Sequence, residues 1–352
     1  MNSRLLPPRF RRVVLSGYIF FCACGGHAQS PAPITPPSRS APEGPFVPAP
    51  ALPGGIVLAL YPPDSPLLKR ERLHEAETYN STTGGVTPGG KVQSTLNIHN
   101  PSIEVHLAPG RTNTGAAIIV IPGGGHKILW IGPEGHDFVP YFARHDITTI
   151  ILRHRLRVDG YDAKIDAVND AFQAVRVVRA HAAQWKLDPA KIGLVGFSAG
   201  AELSAPAALF FDAFTAANQA ANDPLAQVSA RPDFVGLIYP GPTPFAKGAT
   251  PAIPANVPPS FIASAGSGDR VHAIWAEEYF SAMLRRGVPN LEMHIYGRGG
   301  HGGGLKARDG IPFGTWPERF LDWFRDLGFL GKPGVPTKAA AESAAFAAKP
   351  AP

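Results

Sequence analysis

Short apolar runs alternate with helical patterns along most of this chain, and this alternation constrains the fold more than any other feature. Seven apolar runs are predicted strands, at 103–107, 116–121, 147–152, 191–197, 234–239, 261–265 and 291–296. Helical patterns lie between or after them, at 134–145, 162–183, 199–211, 272–286 and 316–327. The alternation predicts a largely parallel central sheet with helices on both faces. In such sheets, functional residues lie beyond the carboxyl ends of the strands.

The composition divides the chain into a folded centre and two extended ends. Residues 29–53 are rich in Pro, Ala and Ser, and residues 332–352 in Ala, Lys and Pro. Neither segment can build a core, so we predict an extended linker over 29–53 and a disordered tail over 332–352. The remaining residues, 54–331, are long enough for one large domain with a full core, since 44% of the chain is hydrophobic.

Residues 1–28 have the organisation of a signal peptide. Arginines from Arg4 to Arg12 precede a short apolar run, Val13 to Cys24, and Gly26 and Ala28 suit a cleavage site after Ala28. The apolar run is shorter than the roughly 20 residues needed to span a bilayer. We therefore expect a periplasmic or secreted protein, and an uncleaved anchor helix is the alternative.

Two variants of this export signal stay open. Arg11-Arg12 could belong to a twin-arginine signal, and Cys24 could end a lipobox, although the usual Leu is missing and lipid anchoring at Cys24 is disfavoured. Cys22 and Cys24 are the only cysteines, so the mature chain has no thiol. A cysteine nucleophile, a disulfide framework and a thiolate metal site are thereby excluded.

The charge balance argues against nucleic acid as a partner. The formal net charge is +6, and four of the positive charges are arginines of the predicted signal peptide. Nucleic-acid-binding surfaces need clustered Lys and Arg, which the mature chain lacks. We expect no nucleic-acid partner, and no stable membrane insertion once the signal is removed.

The segment Gly196-Phe197-Ser198-Ala199-Gly200 carries the clearest chemical signature. It follows a predicted strand and begins a predicted helix, which is the context of a G-x-S-x-G nucleophile elbow. Glycines two residues before and after the serine remove backbone clashes in this tight turn. The turn lifts the Ser198 hydroxyl above the sheet and points a helix N-terminus at a developing oxyanion. Ser198 is therefore the predicted nucleophile.

A second glycine-rich turn, Pro122-Gly123-Gly124-Gly125-His126, ends the predicted strand 116–121. Consecutive glycines let backbone N–H groups point into a cavity, and with the N–H of Ala199 they would form an oxyanion hole. A flexible turn is the alternative, and a phosphate cradle is disfavoured because the Lys-Ser/Thr of a P-loop is missing. His126 and Trp130 should border the pocket, Trp130 either as a platform for a sugar ring or as a cap on the core.

A general base has to come from one of the 12 histidines. His301 is the best placed, because it lies in a glycine-rich loop after the last predicted strand. The chain order nucleophile, acid, histidine also requires a base after Ser198. His126 is the rival, although it precedes the serine.

The acid that orients the base should follow a strand between the nucleophile and the histidine. Asp269 follows the predicted strand 261–265 and is favoured, whereas Asp233 precedes a strand and is the runner-up. The chain has no H-E-x-x-H motif, no carboxylate cluster with ligand spacing and no dinucleotide fingerprint. We therefore expect neither a metal nor a cofactor.

Together these segments resemble the secreted bacterial α/β-hydrolases related to acetyl xylan esterases, a BD-FAE-like group near the hormone-sensitive-lipase esterases. The segments that carry the resemblance are Ile121–His126, Glu134-Gly135, Leu152–Leu156, Gly196–Gly200, Gly299–Gly302 and, ahead of the first core strand, Asn97–Ser102. The resemblance covers about residues 60–330. It implies an α/β-hydrolase fold and makes 54–331 the catalytic domain.

The resemblance also implies which residues act in the site. It implies a catalytic triad of Ser198, Asp269 and His301, with Gly124, Gly125 and Ala199 as oxyanion donors. Two departures from the family pattern concern the shape of the pocket. Pro122 stands where lipase-like relatives have His, and Ala201-Glu202 stands where many members have Gly-His.

The activity implied by the resemblance is ester hydrolysis through an acyl-enzyme on Ser198. The expected substrate is an acylated carbohydrate such as acetylated xylan, from which short acyl groups, foremost acetyl, are removed. A general short-chain carboxylesterase or lipase acting on lipid-like or xenobiotic esters is one alternative. A non-catalytic carbohydrate-binding relative is an alternative of another class, disfavoured because the serine, acid and histidine are intact.

Overall fold

A sheet of eight strands forms the centre of the protein, whose computed structural model describes residues 44–82, 91–110, 114–218, 223, 225–305, 309–331 and 335–347. The described strands are β1 (Ile56–Ala59), β2 (Thr78–Thr82), β3 (Lys91–Leu96), β4 (Ser102–His106), β5 (Ala117–Ile121), β6 (Thr148–Arg153), β7 (Ile192–Phe197), β8 (Val235–Ile238), β9 (Ser260–Ser267) and β10 (Glu292–Arg298). Strands β2 and β3 form a separate antiparallel pair, and the other strands make the central sheet.

The central sheet is mostly parallel. Its strand order is β1-β4-β6-β5-β7-β8-β9-β10. The pairs β1/β4 and β4/β6 are antiparallel, and every neighbouring pair from β6 to β10 is parallel. Strands β5, β6 and β7 are buried along their whole length, as the Val, Ile and Leu of parallel strands covered on both faces require.

Helices cover both faces of this sheet. The described helices are α1 (Phe138–Ala143), α2 (Val168–Ala180), α3 (Ala201–Ala207), α4 (Phe211–Asn218), α5 (Arg270–Arg285), α6 (Trp316–Asp326) and α7 (Lys338–Ala347). Helices α2 to α5 pack on one face, and α1 and α6 on the other. Alternate residues of β5 face the two cores, since Ile119 lies in the first and Ile118 in the second.

All seven predicted strands are confirmed, with ends within about two residues of the prediction. Strands β1, β2 and β3 were not predicted. β1 has only four residues, and the sequence of β2, Thr-Tyr-Asn-Ser-Thr, lacks the apolar run used to recognise the others. The prediction missed β1 because its apolar run, Ile-Val-Leu-Ala, is short, and β2 and β3 because their residues are largely polar.

The predicted helices are confirmed in part. Helices α5 and α6 have the predicted positions. The patterns at 134–145 and 162–183 each begin with a wide π-helical turn before α1 and α2. The predicted helix 199–211 divides into a 3-10 turn (Ser198–Gly200), α3, which ends at Ala207, and α4, which begins at Phe211.

The end of the predicted linker belongs to the folded unit instead. The Phe46 N–H donates to the Leu73 carbonyl at 2.7 Å, and the Asn100 side chain donates to the Phe46 carbonyl at 2.9 Å. The Ala51 N–H donates to Glu104 at 3.0 Å. These bonds correct the boundary at residue 54, which composition placed too late because it cannot register backbone hydrogen bonds to distant loops. The predicted signal peptide lies outside the described residues.

The predicted tail contains the exposed helix α7, which corrects the expectation of disorder for that part of the chain. Alanine has the highest intrinsic helix propensity, and Lys338 and Glu342 form a 3.6 Å ion pair one turn apart. Composition favoured disorder because the tail has few large apolar residues. Among the described helices, none is long and apolar enough to cross a membrane.

A buried ion cluster attaches the β2/β3 pair to the central sheet. Arg153, at the end of β6, is 1% exposed. Its guanidinium donates to Glu77 at 2.8 Å and to Glu104 at 2.6 Å. Burial acts to raise the pKa of Glu104, but the hydrogen bond from His106, the His136 ring 3.5 Å away and the Arg153 charge hold it below its usual range. The cluster depends on Arg153, because its guanidinium is shared by the buried carboxylates of Glu77 and Glu104.

We predict that Arg153→Met lowers the free energy of unfolding by roughly 3–5 kcal/mol, because it leaves buried carboxylates without a cation. Urea denaturation of the two proteins measures the difference. Arg325→Met is the matched control, since Arg325 pairs with Asp322 on the surface with both side chains about half exposed. Equal stability losses in the two variants would contradict a structural role for the cluster.

Candidate active site

Ser198 follows β7 directly and sits in a strained turn. Its φ angle is +51°, in the left-handed region that side chains other than glycine rarely occupy. The turn packs so tightly that a Cβ atom on Gly200 would lie 2.0 Å from the Ile121 carbonyl oxygen, which explains the glycine two residues after Ser198. The side chain of Ser198 stands at the carboxyl edge of the sheet, half-buried.

Three side chains predicted from the sequence form one hydrogen-bonded chain. The Ser198 hydroxyl lies 2.7 Å from Nε2 of His301, and Nδ1–H of His301 donates to Oδ2 of Asp269 at 2.9 Å. Asp269 comes two residues after β9, and His301 three residues after β10. Asp269 is buried, whereas the His301 side chain is 36% exposed. This order is that of a nucleophile, a base and an orienting acid.

A second imidazole contacts the same carboxylate. Nδ1–H of His272 donates to Oδ1 of Asp269 at 2.5 Å, and the His272 ring stacks on that of His301 with centroids 3.8 Å apart. Burial acts to raise the pKa of Asp269, but the hydrogen bonds from His272 and His301 outweigh it and hold the pKa below its ordinary value. Sequence reasoning missed His272. The structure begins α5 at Arg270 with Asp269 as its N-cap, so a residue three positions later lies beside Asp269.

Asp233 and His126, the rival acid and the rival base, do not join this hydrogen-bonded chain. Asp233 accepts from the Ile192 N–H at 3.0 Å and from Arg179 at 2.8 Å, at the amino-terminal ends of β7 and β8 and so at the opposite edge from Ser198. His126 is buried, and its Nε2 lies 3.3 Å from the Glu202 carboxylate. Glu202 occupies the first turn of α3 and thus also borders the nucleophile turn.

The glycine-rich loop at 122–126 lies against the turn that holds Ser198. A Cβ atom on Gly123 would stand 2.5 Å from the Phe197 carbonyl oxygen and 2.9 Å from Cβ of Ser198. The predicted oxyanion donors Gly124 and Gly125 follow at once in the chain, with Gly125 exposed. Ala199 is the second residue of the short 3-10 turn Ser198–Gly200 after β7, where backbone N–H groups lack an intrahelical acceptor.

Trp130 borders the same loop. The backbone N–H of Trp130 donates to the Gly123 carbonyl at 2.9 Å and ties this residue to the loop at 122–126. Its side chain is half-buried. A full cap on the core would be buried, so partial exposure favours a surface role for Trp130.

Glu134 joins three parts of the site and was not assigned a role from the sequence. Its carboxylate accepts from the Gly123 N–H and from the Tyr239 hydroxyl, each at 2.8 Å. The Gly304 N–H, in the loop of His301, donates to the same hydroxyl at 3.2 Å. Burial raises the pKa of Glu134 although these hydrogen bonds act to lower it. An acid in an apolar stretch just after a glycine loop was the signal that could have identified it.

One group of side chains in the described part of the chain has the spacing of a metal site. Single ligand atoms of Asp269, His272 and His301 all lie within 4.8 Å of one another. Hydrogen bonds between the carboxylate and the two imidazoles already account for this spacing. The arrangement therefore fits acid–base chemistry without a metal.

Sequence comparisons relate the chain to enzymes that act on xylan. The profile of the BD-FAE family matches residues 103–238, a span from β4 to β8 that includes the glycine loop and Ser198. The chain is 26% identical over 291 residues to an acetylxylan esterase of Xylanibacter ruminicola, covering 74% of this chain and 52% of that protein. It is 30% identical over 125 residues to endo-1,4-beta-xylanase B of Butyrivibrio fibrisolvens, covering 35% and 19%. The chain thus spans about half the length of the first relative and a fifth of the second.

A solved structure agrees with these relationships. The acetyl ester-xyloside bifunctional hydrolase of Caldicellulosiruptor lactoaceticus superposes with a TM-score of 0.58 at 27% identity, covering 66% of this chain and 90% of that one. The predicted α/β-hydrolase fold is confirmed by this likeness and by the mostly parallel sheet. The BD-FAE match over residues 103–238 and the similar esterases support a relationship to acetylxylan esterases within the α/β-hydrolase fold.

Proposed function

We propose that this protein is a serine esterase that removes acetyl groups from carbohydrate such as acetylated xylan, through an acyl-enzyme on Ser198. The observation that carries the proposal is the hydrogen-bonded chain from Ser198 through His301 to Asp269, with distances of 2.7 and 2.9 Å. An ordinary serine hydroxyl is a weak nucleophile, and this chain supplies the base that activates it.

In the first half of the reaction, the Ser198 hydroxyl oxygen attacks the acetyl carbonyl carbon while its proton passes to Nε2 of His301. The carbonyl oxygen becomes an oxyanion, which the N–H groups of Gly124, Gly125 and Ala199 stabilise. The ionised Asp269 stabilises the imidazolium that forms on His301. The imidazolium then protonates the departing sugar oxygen, the ester bond breaks and the acetyl group stays on Ser198.

In the second half, water replaces the sugar hydroxyl. His301 takes a proton from the water, whose oxygen attacks the acetyl-serine carbonyl and forms a second oxyanion in the same place. When this intermediate collapses, the proton returns from His301 to the Ser198 oxygen, and acetic acid leaves, ionising to acetate in water. One water is consumed for each ester cleaved, and the enzyme returns to its starting state.

The carbohydrate substrate is supported by the relatives and by the openness of the site. The related proteins include an acetylxylan esterase and an acetyl ester-xyloside hydrolase. His301 is 36% exposed and Gly125 is exposed, so a large substrate has access to the reacting atoms. A polysaccharide cannot enter a cell intact, so the proposal places the enzyme outside the cytoplasm, in agreement with the signal peptide predicted over residues 1–28.

A general short-chain carboxylesterase is the second candidate function. The same triad would serve it, so the two candidates differ only in the alcohol part of the ester. Acetate release from acetylated xylan, glucomannan and pectin, measured beside p-nitrophenyl acetate, separates them. Turnover of the simple ester alone would favour the general esterase.

We expect Ser198→Ala and His301→Ala each to lower kcat on p-nitrophenyl acetate by about four to six orders of magnitude. The double variant should be hardly worse, because the two residues act as a unit. Asp269→Asn should cost less, about three to four orders, because the histidine remains but its orientation is lost. Steady-state kinetics on the purified variants measures these effects.

Asp233→Asn is the matched control for the acid, because Asp233 is paired with Arg179 at the other edge of the sheet. It should keep kcat within a few-fold and affect stability instead. An enzyme that is crippled by Asp233→Asn and tolerates Asp269→Asn would show that the acid is wrongly assigned.

Trp130→Ala tests the carbohydrate part of the proposal. If Trp130 is a platform for a sugar ring, its loss should lower kcat/KM on acetylated xylo-oligosaccharides by about tenfold, since it removes binding energy remote from the ester. The small p-nitrophenyl acetate should be nearly unaffected.

Trp185→Ala is the matched control, because Trp185 is buried in the core beside α2. Trp185→Ala should reduce the free energy of unfolding by roughly 3–5 kcal/mol, which is the expected cost of removing a buried tryptophan from a core. If Trp130→Ala behaves in the same way and lowers both activities together, Trp130 is a core residue and loses its place in the site.

A further inference from the structure

We propose that His272 is a positioning residue, which fixes the Asp269 carboxylate and the ring plane of His301 so that Nε2 faces Ser198. The inference rests on the proposed esterase function. His272 lies in the first turn of α5, and its side chain is 19% exposed. It does not touch the ester in this account and acts through Asp269 and His301.

His272 restrains the Asp269 carboxylate. Asp269 uses both of its oxygens, Oδ2 for His301 at 2.9 Å and Oδ1 for His272 at 2.5 Å. A carboxylate held by one hydrogen bond can rotate about its terminal torsion, which has a broad energy profile. With both oxygens bound, rotation breaks two charge-assisted bonds at once, so the acceptor for His301 keeps its direction.

His272 also restrains the ring of His301. His301 lies in a loop whose neighbours are glycines, from Gly299 to Gly304, which give its ring little support from side chains of the same loop. The His272 ring stacks on it at 3.8 Å with an interplanar angle of 25°, and the Tyr239 ring meets it edge-on at 5.1 Å. The indole of Trp275 in turn contacts His272 edge-on at 5.1 Å. These contacts fix the plane of an otherwise exposed ring.

The two contributions of His272 can be separated by substitution. His272→Phe keeps a ring over His301 and removes the donor to Asp269. His272→Asn removes the ring and keeps an N–H donor close to the position of Nδ1. His272→Ala removes both. Because the proposal assigns the main role to the donor, Asn should recover most of the activity that Phe and Ala lose.

The experiment measures kcat and KM of the full-length protein on p-nitrophenyl acetate. We expect His272→Phe and His272→Ala to lower kcat by about 10- to 100-fold, as misplacement of a catalytic group does, while KM changes less than about twofold. The downfield proton resonance of the His301 Nδ1–H should weaken or shift in both variants and return in His272→Asn. His294→Asn is the matched control, since His294 pairs with Glu292 at 2.7 Å on the edge strand β10, away from the site.

Three results would overturn the proposal. One is a wild-type kcat in His272→Phe. Another is a loss that His272→Asn does not recover and that a lower melting temperature accompanies, which would show a purely structural role. The third is a wild-type kcat that EDTA abolishes and Zn²⁺ restores, since the three side chains would then hold a metal. If the wild type has no esterase activity, the proposed function fails, whereas the resonance of His301 still reports on positioning by His272.

Discussion

Ser198, Asp269 and His301 meet because β7, β9 and β10 run parallel in one sheet and end at the same edge. Ser198 and His301 are 103 residues apart in the chain, yet their side chains lie 2.7 Å apart. No local segment could bring them together, so the site exists only when the whole parallel region is paired. The register between β9 and β10, with Ala265 opposite Tyr296, sets how far along the sheet Asp269 and His301 emerge.

Buried carboxylates connect this site to the rest of the protein. Burial of a charge is costly unless hydrogen bonds or an opposite charge replace the water. Glu134 meets this condition by binding the glycine loop and Tyr239, and Asp269 by binding two imidazoles. Glu104 meets it through Arg153, which holds the β2/β3 pair to the sheet. Each carboxylate thereby ties a neighbouring segment to the domain by hydrogen bonds.

Sequence reasoning located the strands and the elbow because both depend on local pattern. A run of Ile and Val marks a strand such as β5, and the glycines around Ser198 mark a turn that no bulkier residue fits. The roles of His272 and Glu134 depend on partners contributed by other elements, and their own neighbours in sequence do not reveal those partners. The pairing of Asp269 with His301 was inferred from chain order, from strand ends and from the family resemblance, since the distance between two strands cannot be read from the sequence of one.

The ends of the domain were misplaced for a related physical reason. The Pro- and Ala-rich approach to β1 looks extended by composition, but Phe46 and Ala51 use their backbone groups to bind the domain. Composition indicates whether a segment can form a core, but it does not show which backbone groups form hydrogen bonds with the rest of the domain. The Ala-rich helix α7 shows the converse, since a segment without a core can still satisfy its backbone internally.

The central claim is that Ser198 is an activated nucleophile. A fluorophosphonate probe tests it most directly, since such probes phosphonylate activated serines and leave ordinary ones unmodified. Incubation of the native protein with the probe, followed by peptide mass spectrometry, should find one adduct, on Ser198, and none in the Ser198→Ala variant. An unmodified native protein, or an adduct on another residue, would contradict the account.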